Sequence, residues 1–176
     1  MELSTARFTL RAPEMGDAAW ITRELANPNV HCWLANPPRP YLLTHSEEWI
    51  ARRSSEPYVR VVTREGRALG VVTVTPRDDG PYLGYWLEEA AWGQGIMTEA
   101  AHALVTFYYE SETGPLNSGW LDGNAGSEGV LRKLGFTDRG TRMDHSVFYG
   151  GEVLTHLVQL PGPEALQAAP SHAKRA

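Results

Sequence analysis

From Tyr82 to Glu88 the chain is a short aromatic-rich run, bounded upstream by Asp79-Gly80-Pro81, and it reads as a strand. Beyond it, Met97, Ala100, Ala101, Leu104, Val105 and Tyr108 recur at spacings of three and four. Such spacing places them on one face of a helix that begins near Gly95. Between strand and helix lies Trp92-Gly93-Gln94-Gly95, where two glycines let the backbone bend and let a ligand approach it. A helix start carries N–H groups without intrahelical partners, and its peptide dipoles add positive potential. A strand feeding such a turn is a site for an anion, phosphate above all.

The same pattern predicts the other elements. Arg7–Arg11 alternates before Pro13 and suggests a first strand. Asp17 is placed to cap a helix through about Ala26, ended by Pro28. Asn29–Tyr41 carries three further prolines and is expected to be an irregular loop. Thr44 and Glu47 form a capping-box pattern for a helix to about Arg53, with Trp49 and Ile50 inward. Tyr58–Arg64 and Leu69–Thr75 are valine-rich strands joined by a turn at Glu65-Gly66-Arg67. Leu116–Leu121 is another strand, and Asp122-Gly123-Asn124 opens a short helix with Val130, Leu131 and Leu134. Gly135 suits the end of that helix. Arg142–Tyr149 and Val153–Leu160 are two final strands flanking a Gly150-Gly151 turn.

The predicted order is therefore β-α-α-β-β-β-α-β-α-β-β, an α+β chain with a mixed, mostly antiparallel sheet. The strands on either side of the Met97–Tyr109 helix should lie parallel, because a crossover helix joins them. Residues 1–161 are expected to form one domain, and 162–176, proline- and alanine-rich without a core pattern, a mobile C-terminal tail.

Composition narrows the function classes. A chain of 176 residues with 42% hydrophobic residues suits a single packed core. No apolar run approaches the roughly 18–20 residues needed to cross a bilayer, and Met1-Glu2-Leu3-Ser4 has no signal-peptide character. With one cysteine, Cys32, neither an internal disulfide nor a cysteine metal cluster can form, and a reducing cytoplasm is the expected setting. A net charge of −5 with scattered basic residues argues against nucleic acid. His31, His45, His102, His145, His156 and His172 show no metal spacing, so no metal is expected.

Two motifs in sequence order resemble the GNAT superfamily of acyl-CoA-dependent N-acetyltransferases, in the branch of the ribosomal-protein N-terminal acetyltransferases. The first is Gly84–Ala100 (GYWLEEAAWGQGIMTEA). The second is Asn124-Ala125-Gly126-Ser127 followed by Leu131-Arg132-Lys133-Leu134-Gly135-Phe136. The likeness runs from about Arg7 to Leu160. It implies a GNAT-like fold of about seven strands and four helices, with one central parallel pair. It further implies acetyl-CoA as acetyl donor and a primary amine, a protein N-terminus or a small molecule, as acceptor.

The resemblance also implies site roles. The amides of Gly93 through Thr98 (Gly93, Gln94, Gly95, Ile96, Met97, Thr98) would hold the pyrophosphate. Trp92 stands where the family has a basic or amide residue, and Met97 where it has a small one. The Leu87 amide would bind the thioester oxygen, the Glu89 backbone would pair with the pantetheine arm, and Asn124 would bond to it. The family's proton-donating tyrosine maps to Leu131, which leaves Ser127 as the candidate acid beside a plain helix-start hydroxyl. Its glutamate on the following strand maps to Gly119. Glu88 and Glu89 are then the candidates to hold a water that deprotonates the amine, or else are solvated strand-end carboxylates. Trp33, Tyr41 and Trp49 either wall the acceptor pocket or simply pack. The two absences keep a non-catalytic coenzyme A-binding sensor as the alternative. A nucleotide-binding α/β domain would need a longer parallel sheet. The terminal hairpin and tail could supply a homodimer contact.

Overall fold

The computed structural model describes residues 2–34 and 36–168. Their strands form one sheet: β1 (Leu3–Ser4), β2 (Thr9–Arg11), β3 (Val59–Arg64), β4 (Arg67–Arg77), β5 (Gly80–Leu87), β6 (Leu116–Leu121), β7 (Thr137–Ser146) and β8 (Gly151–Leu160). Spatial order is β1-β2-β3-β4-β5-β6-β8-β7. Every pairing is antiparallel except β5 with β6, which run parallel as the crossover requires. The helices are α1 (Ala18–Ala26), α2 (Pro28–His31), α3 (Leu43–Arg53), α4 (Ile96–Tyr108), α5 (Ala125–Lys133) and α6 (Pro163–Ala168).

Two apolar clusters cover the two faces of the sheet. The larger joins α4, α5 and α6 to the strands, with Leu83, Leu104, Leu116, Leu131 and Leu160 at 1% exposure or less. Full burial of such a side chain contributes roughly 1.5–3 kcal/mol. Every α4 position of the expected face is buried, with Ile96 added. The smaller cluster gathers Ala18, Ile21, Leu25, Val30 and Ile50 with Trp20 and Trp86. Because strand side chains alternate, Leu83 enters the larger cluster and Trp86 the smaller.

Between β5 and β6 only Tyr82 and Asn117 are registered partners. Pairing of β5 with β4 nevertheless continues to Leu87, and pairing of β6 with β8 to Leu121. The two central strands therefore splay apart toward their C-terminal ends, and that opening positions the site.

Several local expectations are corrected. Asp17 does not cap α1, because its carboxylate is occupied by Arg11 at 2.7 and 2.8 Å and by the Glu14 amide. Pro28 both ends α1 and starts α2, its ring suited to a first turn, with Asn27 accepting from the Asn29 amide at 3.0 Å. The α3 helix starts at Leu43 without a Thr44–Glu47 box, since His45 Nδ1 accepts from the Leu42 amide instead. The strand β7 begins at Thr137, and residues 147–150 make the turn, closed by Gly150 N–H to Ser146 O. Short β1 and α2 bring the strands to eight and add to the helices among the described residues. Of the expected tail, Pro163–Ala168 is helix α6 with Leu166 buried in the core, while 169–176 lie outside the described residues.

Candidate active site

A groove of about 820 Å³ passes through the splay. One end is built from consecutive backbone. Gly95 is the N-cap of α4 with φ +71°, a left-handed conformation that a side chain resists, and its neighbours Gly93, Ile96, Met97 and Thr98 also line the groove. The Met97 side chain is 3% exposed and packs into the core, which leaves its backbone at the groove. Trp92 lines the wall and donates from its indole to the Leu87 carbonyl at 3.1 Å. Gln94 stands back from the groove. Its amide donates to the Ala90 carbonyl, and its own carbonyl accepts from Arg7 at 3.2 Å. Arg7 also pairs with Glu99 in the first turn of α4 at 2.7 Å. That clamp, absent from the sequence reading, offsets an acidic group beside a site suited to anions. Lys133, at the end of α5, adds a cation to the groove wall.

At the splay itself, Glu88 N–H donates to Leu69 O on β4 at 2.9 Å. Adjacent strand residues point their amides to opposite edges, so the Leu87 amide faces the gap toward β6. Across the gap, Asn124 is the N-cap of α5 and accepts from the Ser127 amide at 3.0 Å. Ser127 Oγ lies 2.9 Å from the hydroxyl of Tyr85, which is also 3.2 Å from the Ser127 carbonyl. Burial pushes the Tyr85 pKa well above its ordinary value, only partly offset by the serine, so the phenol stays protonated. Sequence reasoning missed Tyr85, and no signal along the chain marks it, because its partner lies 42 residues away. Leu131 is fully buried, so its position offers packing and no proton.

The expectation for the Glu88 carboxylate fails. Glu88 is 4% exposed, ion-pairs with Arg67 on β4 and does not line the groove. It is neither a solvated carboxylate nor placed to hold a water for the amine. Glu89 starts a 3-10 turn, and its carbonyl accepts from the Trp92 amide at 3.2 Å, so that carbonyl does not continue a strand ladder. Its carboxylate takes the side-chain amides of Asn27 and Asn29, both at 2.9 Å, and those two bonds hold its pKa below the ordinary carboxylate value.

The other end of the groove is built from separated side chains. Arg77 and Tyr82 come from β4 and β5, Gly119 and Leu121 from β6, Thr155 from β8, and Arg142 and Asp144 from β7. Trp33 and Leu34, after α2, close one wall. Tyr41 and Trp49 instead pack on the smaller cluster. A Cβ at Gly119 would sit 2.5 Å from the His156 carbonyl and 3.3 Å from the Tyr82 hydroxyl. A side chain there, glutamate included, would have to push β6 and β8 apart. Cys32 is half-buried, and burial raises its thiol pKa. No group of three or more metal-binding side chains forms among the described residues. No described helix is long and apolar enough to cross a membrane.

The family model for the acetyltransferase (GNAT) domain matches residues 7–137. The chain belongs to the GNAT acetyltransferase family. This GNAT chain is 38% identical over 60 residues to the probable N-acetyltransferase YjcK of Bacillus subtilis, 34% of this chain and 33% of that protein. It is 33% identical over 54 residues to the ribosomal-protein-serine acetyltransferase of Escherichia coli, 29% of this chain and 30% of that one. These matches span about a third of each curated relative. The fold is that of RimL, the ribosomal L7/L12 alpha-N-protein acetyltransferase solved in complex with coenzyme A. The TM-score is 0.77 at 20% identity, over 92% of this chain and 98% of that one.

Proposed function

We propose that this protein is an acetyl-CoA-dependent N-acetyltransferase in which a primary amine attacks the bound thioester directly. The observation that carries the reading is the unpaired edge of β5 at Leu87, placed between the glycine turn and the Tyr85–Ser127 pair. Pyrophosphate would rest on the amides of Gly93 and of Gly95 to Thr98, with Lys133 adding charge. Asn124 keeps its side-chain N–H₂ for the pantetheine arm, because its oxygen is used in the cap. The Leu87 amide then faces the thioester oxygen and stabilises the oxyanion as the C–N bond forms.

As the C–S bond breaks, the departing thiolate takes the Ser127 hydroxyl proton while groove water, carrying the proton lost by the amine, returns one to Ser127 Oγ. In this reading the Tyr85 hydroxyl, within reach of both the Ser127 carbonyl and Oγ, turns its one proton to Oγ, which frees the serine proton for the groove. Tyr85 is a positioning residue, not the acid, since burial holds its own proton. The amine must be neutral to attack, and with glycine at 119 and Glu88 committed to Arg67, its proton leaves through groove water. The described residues 2–34 and 36–168 act as one domain in this reading, α6 included.

Steady-state release of coenzyme A over a panel of primary amines tests the reading. Ser127→Ala should lower kcat about ten-fold, roughly 1.4 kcal/mol. Tyr85→Phe should lower kcat less and shift the limb of the pH profile that reports the acid. Tight acetyl-CoA binding with no turnover of any amine would overturn the enzymatic claim in favour of a coenzyme A-binding regulatory module.

A further inference from the structure

The acceptor end of the groove has a distinct charge pattern for a chain of net charge −5. Register places Arg77 opposite Gly80, and Tyr82 two residues further along the same face. From the other arm of the sheet, Arg142 is the cross-strand partner of Thr155, itself the partner of Leu121. Both arginines thus stand on the groove face, on either side of Tyr82 and Gly119. The Arg77 guanidinium lies over the Tyr82 ring at 3.4 Å from its centroid. Among the described residues it has no carboxylate partner within ion-pair distance. The Arg142 guanidinium is oriented by Asp144, at 2.8 Å.

The floor between them, at Gly84 and Gly119, carries no side chain, and one at Gly119 would have to push β6 and β8 apart. Thr155, on the same wall, has a buried hydroxyl with no hydrogen-bond partner among the described residues. Stacking holds the Arg77 fork flat and ion pairing holds Arg142, so each is partly preorganised for a planar or tetrahedral anion.

Building on the acetyltransferase reading, we propose that the acceptor is a primary amine that also carries an anionic group, carboxylate or phosphate, gripped by Arg77 and Arg142. The anion sits over Tyr82 and Gly119 while the amine reaches through the splay to the thioester at Leu87. Arg77 supplies the uncompensated charge, and Asp144 keeps Arg142 turned to the groove.

Two measurements test this on the full-length protein. In the first, coenzyme A release is followed with matched pairs: a free amino acid against its amide, and hexapeptides with Asp or Lys as second residue. The anionic member of at least one pair should show a kcat/KM about ten-fold or more above its neutral or cationic partner, as for one charge-assisted contact. Preference in the amino-acid pair alone identifies a small-molecule acceptor, and preference in the peptide pair alone an acidic N-terminus. Arg77→Ala and Arg142→Ala should each bring the ratio toward one, and Arg142→Lys should restore part of it. In the second, titration calorimetry measures binding of the N-acetylated amino acids and peptides to protein saturated with coenzyme A.

Equal use of both members of every pair, or product binding indifferent to Arg77→Ala and Arg142→Ala, overturns the anion site while leaving acetyl transfer standing. Tight acetyl-CoA binding with no turnover, but with arginine-dependent binding of an anionic ligand, keeps the anion site and rejects the reaction. Failure to bind acetyl-CoA rejects both.

Discussion

The two ends of the groove are made in different ways. The end proposed for the cofactor is lined by one local stretch, Trp92, Gly93 and Gly95 to Thr98, with one short helix start at Asn124 to Ser127. The ligands proposed there are amides, and the side chains nearby either pack inward, as Met97 does, or brace the turn, as Gln94 does. The acceptor end takes one or two side chains from each of β4, β5, β6, β7 and β8 and from the segment after α2. A backbone site depends on conformation, and tolerates changes of side chain that leave φ and ψ alone. A side-chain site depends on which residues the sheet brings together, and it can change its ligand by single substitutions. Outside the groove, the Glu89 carboxylate ties the segment before α4 to the α1–α2 junction through Asn27 and Asn29.

The largest expected effect tests whether the acceptor end can be rebuilt like that of its relatives. Gly119→Glu should destabilise the fold by about 3 kcal/mol, because its Cβ would meet a backbone oxygen that cannot move aside cheaply. Urea unfolding reads this. A variant as stable as the parent and faster with amines would show that the acceptor end was ready for a carboxylate after all.

The next effect tests the backbone character of the cofactor end. At Gly95 a side chain has room, with Arg7 at 3.6 Å as its nearest neighbour, so the penalty is conformational. Gly95→Val should cost about 1–2 kcal/mol in stability and weaken acetyl-CoA binding about ten-fold, as strain in a left-handed residue requires. Thermal unfolding and calorimetry measure the two together. Unchanged acetyl-CoA affinity in a folded variant would break the contrast, since it would mean that the turn does not carry the ligand.

The smallest effect concerns the Glu89 tie to the α1–α2 junction. The amides of Asn27 and Asn29 hold the Glu89 pKa below its ordinary value. The contact therefore adds stability above the unfolded carboxylate pKa of about 4.3, and that contribution fades as pH falls through the depressed folded value. Asn29→Ala should move the Glu89 midpoint up toward the ordinary value, so the contribution is lost at a higher pH. Carboxyl NMR titration of Glu89 checks the direction. A midpoint that stays in place would show that Asn27 alone holds the carboxylate.

Legibility followed the same division. The α4 face from Met97 to Tyr108 was readable because a helix repeats its contacts within a few residues. The glycine turn was readable because it is local, and Asn124 and Ser127 because they begin a helix at a set distance from it. Element ends were less so: β7 starts at Thr137, because pairing with β8 recruits exposed residues that carry no apolar pattern. The glutamates misled for a related reason. Glu88 looks like a strand-end carboxylate until β4 places Arg67 against it, 21 residues away in the chain. Tyr85 and Ser127 are 42 residues apart, and their hydrogen bond exists only where α5 starts over β5.

By itself the sequence determined the strand–turn–helix that opens an anion site and the order of elements around it. Those are properties of neighbours along the chain and follow from local periodicity and backbone geometry. Only the tertiary structure decided that the central strands part beyond Tyr82, that Tyr85 meets Ser127, that Glu88 is held by Arg67, and that Arg77 and Arg142 bracket one mouth. Each of these is a contact between segments whose separation carries no periodic signal, so it comes into being only when the sheet closes.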